Sequence, residues 1–340
     1  MSRQDLLAST LEHVIDSKTD VLWRKNAFVE ECKRAGGVEK YQGGSRIDRI
    51  VAVEDPHAIT NVGPNGMRAL SLTTGDTIQR ATYEAQRLVK PIVISNKLLD
   101  ENNGPAAVVN AAGKRTEIGL EKFIRDLNRQ FLVGTADATS ELATLHTLNG
   151  QIVGGPSGDG FLEPVARGAQ TNTVGGLNKG VLDEGWKNAF GDANGAFGTD
   201  GLNAMHDIWT EVAAYGQSAG KKYIVTSLAA FRNYKQTLFN QERYIDQKSL
   251  DGGVMRLLYD GAPICLDPAM DFSGFDTEIS MYFLDADAVK LMILRDNMFK
   301  LDSFVQHPEY DAKIARIVWH GQLIADALAP CGVLIDGDAF

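Results

Sequence analysis

A serine motif is the first feature of this sequence that could carry out chemistry. Gly216-Gln217-Ser218-Ala219-Gly220 has the form G-x-S-x-G, with which hydrolytic enzymes present a nucleophilic serine at a turn between a strand and a helix. Here the order is reversed, because a helical pattern ends at Tyr215 and a strand-like pattern begins near Tyr223. The motif is more typical of a loop that ends a helix, and a hydrolase that uses Ser218 remains an alternative function.

Residues that could bind a cation or a phosphate are present but wrongly spaced. Asp192, Asn194 and Asp200 lie in a Gly-rich stretch, but a calcium loop of the EF-hand type needs Glu at its twelfth position, where this chain has Asn203. The glycines between residues 154 and 160 are not followed by the Lys-Ser or Lys-Thr pair of a phosphate-binding loop. Neither stretch predicts a binding site.

The remaining candidates for chemistry are histidines and a pair of aspartates. The histidines show no H-x-x-x-H pair and stand far apart in the sequence: His13, His57, His146, His206, His307 and His320. Asp285 and Asp287 could form a two-carboxylate site, but they follow an apolar strand, where Asp commonly caps or turns the chain. The sequence therefore predicts no catalytic residue, no cofactor and no metal.

Composition indicates a globular protein made in the cytoplasm. Of 340 residues, 44% are hydrophobic and 23% are charged, which is enough apolar material for one large or two small cores. Three separated cysteines, Cys32, Cys265 and Cys331, favour buried thiols over a disulfide framework. No apolar run is long enough to span a membrane. The net charge of -10 argues against a surface that grips nucleic acid tightly, although the protein could still enclose it.

The elements that would have to position any site begin with an arm and a long hairpin. Apolar residues on one helical face predict an amphipathic helix over residues 4 to 16, which needs a partner for its apolar stripe. Residues 46 to 54 and 77 to 94 are rich in β-branched residues and predict the two limbs of a hairpin. The limb from Gln79 to Arg87 is polar on both faces, so we expect it to lie against another subunit.

A long helix and an α/β unit follow. Apolar residues at helical spacing predict a helix from Gly104-Pro105 to Gly134, and the Gly-rich stretch from 148 to 201 predicts loops and short strands. After Gly201, two helical patterns alternate with strands, and Asp260-Gly261 predicts a tight hairpin turn. Apolar strands at 281 to 284 and 289 to 294 are expected to complete this unit, and residues 310 to 335 add further strands.

This order of elements resembles the tailed-phage major capsid proteins of the Hong Kong 97 type. The strings that carry the resemblance are LWRKNAFVEECKRAGGVEKYQGGSRI, VGGLNKGVLDEGWKNAF, KYIVTSLAAFRNYKQTLFNQERY, LLYDGAPICLDPAM, ISMYFLDADAVKLMI and IARIVWHGQLI, in that order. The resemblance implies an α+β fold with four parts. These are an N-arm over 1 to 45, an E-loop over 46 to 95, a P-domain over 96 to 200 and 299 to 328 with a spine helix at about 105 to 133, and an A-domain over 201 to 298 and 329 to 340.

The resemblance also implies a function and a set of partners. Copies of the chain would form pentamers and hexamers that close an icosahedral shell around packaged double-stranded DNA, without catalysis and without sequence-specific DNA contacts. We expect a virion protein assembled in the host bacterial cytoplasm, with a portal protein, a possible decoration protein and, because the arm starts almost at once, a separate scaffolding protein. Cross-linking between a Lys and an Asn is left open.

Charged residues of the E-loop are the candidate inter-subunit contacts, since charge pairs across an interface set register. These are Arg49, Arg80, Glu84, Arg87 and Lys90. The alternative is that they are simply solvated. An encapsulin, a cellular compartment of the same fold, is an alternative function; an empty shell with an enzyme cargo would favour it.

Overall fold

The computed structural model describes four α-helices and sixteen strands, all within residues 26–52, 78–97, 105–134, 142–145, 160–182, 184–193, 197–216, 221–240, 256–271, 279–294 and 299–335. The helices are α1 Ala27–Arg34, α2 Pro105–Val133, α3 Leu202–Tyr215 and α4 Leu228–Asn240. The helix predicted for residues 4 to 16 lies outside the described residues. None of the described helices is both long enough and apolar enough to span a bilayer.

The strands fall into two large sheets and two hairpins. They are β1 Val38–Tyr41, β2 Arg46–Ala52, β3 Ile78–Glu84, β4 Gln86–Ser95, β5 Thr173–Val174, β6 Leu177–Asn178, β7 Ala189–Asp192, β8 Lys222–Thr226, β9 Arg256–Tyr259, β10 Ala262–Leu266, β11 Ile279–Asp285, β12 Val289–Leu294, β13 Lys300–Leu301, β14 Val305–Gln306, β15 Ala312–Ala325 and β16 Gly332–Ile335. β2 pairs with β3, and β5 pairs with β6.

The first sheet is built around β15, a strand of 14 residues. β4 runs antiparallel along one edge of β15, while β12, β13 and β14 pair in succession along its other edge, and β1 adds in parallel to β12. The long helix α2 spans 29 residues, as its apolar periodicity predicts, and packs its apolar stripe against this sheet. Phe123 meets Phe299 at a ring distance of 5.6 Å, and Phe131 meets Trp319 at 5.8 Å.

The second sheet forms the predicted α/β unit. Its strand order is β7-β16-β11-β8-β10-β9, and α3 and α4 contribute buried residues to its core, among them Met205, Ile208 and Phe231. Asp260 and Gly261 both have positive φ, +46° and +84°, and form the predicted two-residue turn between β9 and β10.

One strand predicted for this α/β unit belongs elsewhere. Residues 289 to 294 form β12, which leaves the second sheet through a turn after Asp285 and pairs with β1 and β15 of the first sheet. Apolar alternation predicts a buried strand but does not say which sheet receives it. β11 and β12, adjacent in sequence, therefore join the two sheets rather than extending one of them.

The predicted long hairpin is also divided. Its second limb breaks at Ala85: residues 78 to 84 pair with β2, whereas β4 pairs with ten consecutive residues of β15. The inward residues of β4 include Ile92 and Ile94, which are buried. Burial of these β4 side chains against α2 thus outweighs continued pairing of the limb with β2. Among the described residues, the hairpin consists of β2 and β3.

A buried carboxylate ties α1 to both the long helix and the second sheet. Asn26 provides no side-chain cap for α1. Instead, the Asp267 carboxylate at the end of β10 accepts hydrogen bonds from the Phe28 N–H at 3.1 Å, from Asn128 Nδ2 at 3.0 Å and from the Ala269 N–H at 3.0 Å. Burial raises the pKa of Asp267, although each of these donors favours its charged form.

Replacing Asp267 should therefore destabilise the junction of three elements. We expect Asp267→Ala to lower the free energy of unfolding by about 2–4 kcal/mol, because it removes a helix cap and leaves buried donors without an acceptor. Urea denaturation measures the loss, and hydrogen exchange should show it first in α1. Asp267→Asn keeps one acceptor and should lose less. Equal stability of Asp267→Ala and the wild type would contradict the assigned capping role.

Candidate inter-subunit surfaces

The residues that suggested chemistry in the sequence do not come together in the part of the chain that the structure describes. Ser218 lies outside the described residues. Asp285 Oδ1 accepts the Asp287 N–H at 2.9 Å and so caps the turn between β11 and β12, and Asp287 pairs instead with Lys221 at 2.6 Å. Within the described part of the chain, no three His, Cys, Asp or Glu side chains come together as metal ligands.

All three cysteines are free and buried, as the sequence predicts. Burial raises the pKa of the Cys32 thiol to about 11 and that of Cys331 to about 12. Both thiols therefore stay protonated throughout the neutral range.

The cysteines should consequently resist alkylation in the folded protein. Since the thiolate is the reactive form, we expect Cys32 and Cys331 to react with iodoacetamide at pH 8 at least about a hundredfold more slowly than an ordinary thiol. Intact-mass spectrometry should show no adduct on the native protein and three adducts in urea. Rapid labelling of either residue in the native protein would mean that this core opens.

The β2–β3 hairpin has one face that anchors it to its own chain. On this face Tyr83 is fully buried, donates its hydroxyl to the Ala325 carbonyl at 3.1 Å and packs edge-on against Phe161. The Thr82 N–H donates to the Gly175 carbonyl at 2.9 Å. Gly175 has φ +57°, and a Cβ there would lie 2.9 Å from the Ala81 Cβ, so glycine permits this close approach.

The opposite face of the hairpin is exposed and carries both charges and apolar groups. Arg46 pairs with Glu84 at 3.3 Å, and Arg80 pairs with Asp48 at 3.3 Å. Beyond these cross-strand pairs, Ile50 is 74% exposed and Ile78 is 65% exposed. The register places these two isoleucines diagonally on the same face, within reach of each other.

The five predicted contact residues are distributed over different surfaces. Arg80 and Glu84 lie on the outward face of the hairpin, where their ion pairs are within the hairpin itself. Arg49 lies on the inward face and pairs with Glu39 and Asp326 of its own chain.

The other two of these residues lie on β4. Lys90 is 3.5 Å from Asp126 of α2 and lines an open groove between that helix and β4. Arg87 is exposed opposite His320, and burial together with the charge of Arg87 lowers the pKa of that imidazole. The structure thus gives intrachain partners to Arg49, Arg80, Glu84 and Lys90, and their contacts between subunits remain a prediction.

A second exposed surface lies on the outer face of the first sheet. Val89 is 45% exposed and Val93 is 50% exposed, and Val93 is paired with Ile314, which is also paired with the exposed Val305. Directly paired residues share a face, so Val93, Ile314 and Val305 form an apolar strip across three strands, and Val89 lies on the same face of β4 four residues before Val93. We call this set of residues, Val89, Val93, Val305 and Ile314, the sheet strip.

Sequence reasoning missed both apolar surfaces, although each left a signal. In β2 the inward residues are Ile47, Arg49 and Val51, and Ile50 interrupts that alternation on the outward side. In β4 apolar residues occur on both faces, a pattern typical of strands that are covered on both sides. In the single chain only one side of β4 is covered.

Comparison with protein-family models gives no match for this sequence, and comparison with curated protein sequences gives none either. Solved structures do match. A chain of the cyanophage A-1(L) capsid asymmetric unit aligns with a TM-score of 0.59 and 15% identity, over 89% of this chain and 92% of that chain. The capsid of a native GTA particle aligns with a TM-score of 0.56 and 14% identity, over 90% of both chains.

An encapsulin aligns as well. The SrpI encapsulin from Synechococcus elongatus PCC 7942 has a TM-score of 0.53 and 8% identity, over 89% of this chain and 86% of that chain. Identities this low establish shared architecture. These alignments each cover about nine-tenths of the chain, and the protein therefore has the Hong Kong 97-type capsid fold.

Proposed function

We propose that this chain is a major capsid protein whose copies assemble into pentamers and hexamers and close an icosahedral shell around phage DNA. The observation that carries the proposal is the alignment of nearly the whole chain with capsid subunits such as those of the cyanophage and the GTA particle. The GTA capsid was resolved with C5 symmetry, which suits rotationally closed contacts between identical subunits.

The exposed surfaces supply the contacts that such assembly requires. The outward face of the hairpin combines the exposed Ile50 and Ile78 with two ion pairs, and the sheet strip adds further exposed aliphatic side chains. Apolar centres with polar rims are typical of interfaces between proteins. In this proposal each hairpin lies against a neighbouring subunit, the chain acts by binding alone, and the shell is the capsid of a virion.

The first experiment is assembly of the purified protein. Light scattering and negative-stain microscopy of concentrated protein, with and without a candidate scaffolding protein, should show rings, tubes or shells. A monomer or dimer under every condition would contradict the proposal. Hydrolysis that is lost in Ser218→Ala would instead favour the hydrolase.

An encapsulin-like compartment is the second candidate, and the alignment with the Synechococcus encapsulin favours it. The two shells differ in what they enclose. Particles isolated from the producing cell should contain nuclease-protected DNA if the protein is a phage capsid, and a protein cargo without DNA if it forms a cellular compartment.

A further inference from the structure

A closed ring of four charged side chains lies where the β2–β3 hairpin meets the rest of the subunit. We call that remaining part of the subunit the body. Arg49 Nη2 is 2.7 Å from Glu39 Oε2, and Lys290 Nζ is 2.8 Å from Glu39 Oε1. Lys290 Nζ is also 3.0 Å from Asp326 Oδ2. Arg49 Nε closes the ring at 3.3 Å from Asp326 Oδ1, a charge contact without hydrogen-bond geometry. Each cation therefore contacts both carboxylates.

The members of the ring come from different parts of the fold. Glu39 lies on β1, Lys290 on β12 and Asp326 directly after β15, all in or beside the first sheet. Arg49 is the member that comes from the hairpin. Among the described residues, its contacts with Glu39 and Asp326 are the ion pairs that connect the hairpin to the rest of the subunit.

Arg49 contacts the rest of the subunit from a position beyond the base of the hairpin, so its contacts restrain the direction of the exposed part. The hydrogen bond from Gln322 Nε2 to the Glu84 carbonyl, at 2.8 Å, holds the base of the hairpin. Arg49 pairs with Ala81, three residues further along β3, and so lies between this base and the exposed Ile50 and Ile78. A two-stranded ribbon is weakly stable alone, so its direction depends on such contacts with the body.

We propose that Arg49 is a positioning residue that sets the angle at which the hairpin leaves the subunit, and through that angle the curvature between neighbouring subunits. The inference rests on the proposed shell function. A guanidinium holds its donors in a rigid fork, and contact with carboxylates from two different segments restricts the direction of its strand. Arg49 thus acts on neighbouring subunits through the hairpin and not by touching them.

Lys290, the other cation of the ring, provides a matched control for Arg49. Arg49→Met and Lys290→Met each remove one cation and leave both carboxylates next to the other cation. Lys290 connects parts of the body, whereas Arg49 connects the hairpin to it. We expect similar melting temperatures for the two variants. Hydrogen exchange in β2 and β3 should accelerate about tenfold in Arg49→Met alone, because a local tether is lost.

Assembly should separate the variants further. The wild type and Lys290→Met should form shells of one diameter, whereas Arg49→Met should form particles with a broad range of diameters. Arg49→Lys, which retains the charge but lacks the fork, should give an intermediate spread and serves as the test variant if Arg49→Met does not fold.

Identical exchange and identical diameters in the Arg49 and Lys290 variants would overturn the inference. If the wild type forms no shells, the proposed function fails by itself. The exchange comparison on the unassembled subunit then decides whether Arg49 tethers the hairpin: faster exchange in Arg49→Met supports the tether, and equal exchange rejects it.

Discussion

An Ile50→Asp/Ile78→Asp double variant is expected to remain folded and to form no shells. Both side chains are largely exposed in the single subunit, so the substitutions should change the free energy of unfolding little. In an assembled shell the same side chains would be buried against a neighbour, where an unpaired carboxylate costs roughly several kcal/mol. Since every subunit would repeat this cost, assembly should fail at concentrations at which the wild type closes shells.

Light scattering and electron microscopy measure assembly, and circular dichroism with thermal melting shows that the subunit is intact. Val181→Asp is the matched control, because Val181 is 85% exposed and belongs to neither the hairpin nor the sheet strip. The control should assemble as the wild type does. If the double variant forms normal shells, the outward hairpin face is not part of the interface between subunits.

Trp319→Ala should cause the largest loss of stability among single substitutions in the first sheet. The indole is fully buried on β15 and packs edge-on against Phe131 of α2. Truncation to alanine opens a cavity at the contact between helix and sheet, and large-to-small changes of an aromatic residue typically cost about 3–5 kcal/mol. Chemical denaturation of the wild type and the variant at neutral pH measures the difference.

Trp319→Phe tests whether packing, rather than the indole N–H, is the cause. Within the described structure Trp319 Nε1 is buried without a hydrogen-bond partner, so phenylalanine removes an unsatisfied donor and keeps most of the aromatic contact. We expect a loss of about 1–2 kcal/mol for this variant. A loss as large as that of Trp319→Ala would show that the site does not accept a smaller ring.

Local patterns were sufficient to predict several elements. The apolar stripe of α2 has helical period, and the Asp260-Gly261 turn is favoured because both positions require positive φ. The resemblance of the ordered elements and sequence strings to tailed-phage capsid proteins predicted the Hong Kong 97-type fold. These features depend on residues close in sequence, or on the sequence of elements, and both can be seen without coordinates.

Sequence patterns thus predicted the long helix, the helices and hairpin turn of the α/β unit and the buried cysteines, and the resemblance to the capsid family predicted the fold class. The tertiary structure is needed to show which strands pair, because alternation marks a face and not a partner: β4 pairs with β15, and β12 belongs to the first sheet. It also decided the position of Arg49, whose carboxylate partner Asp326 is 277 residues away along the chain. Charges that look solvated in sequence become structural when distant strands bring counterions to them. The break in alternation at Ile50 is visible in the sequence, but which face of β2 is exposed depends on where the core lies.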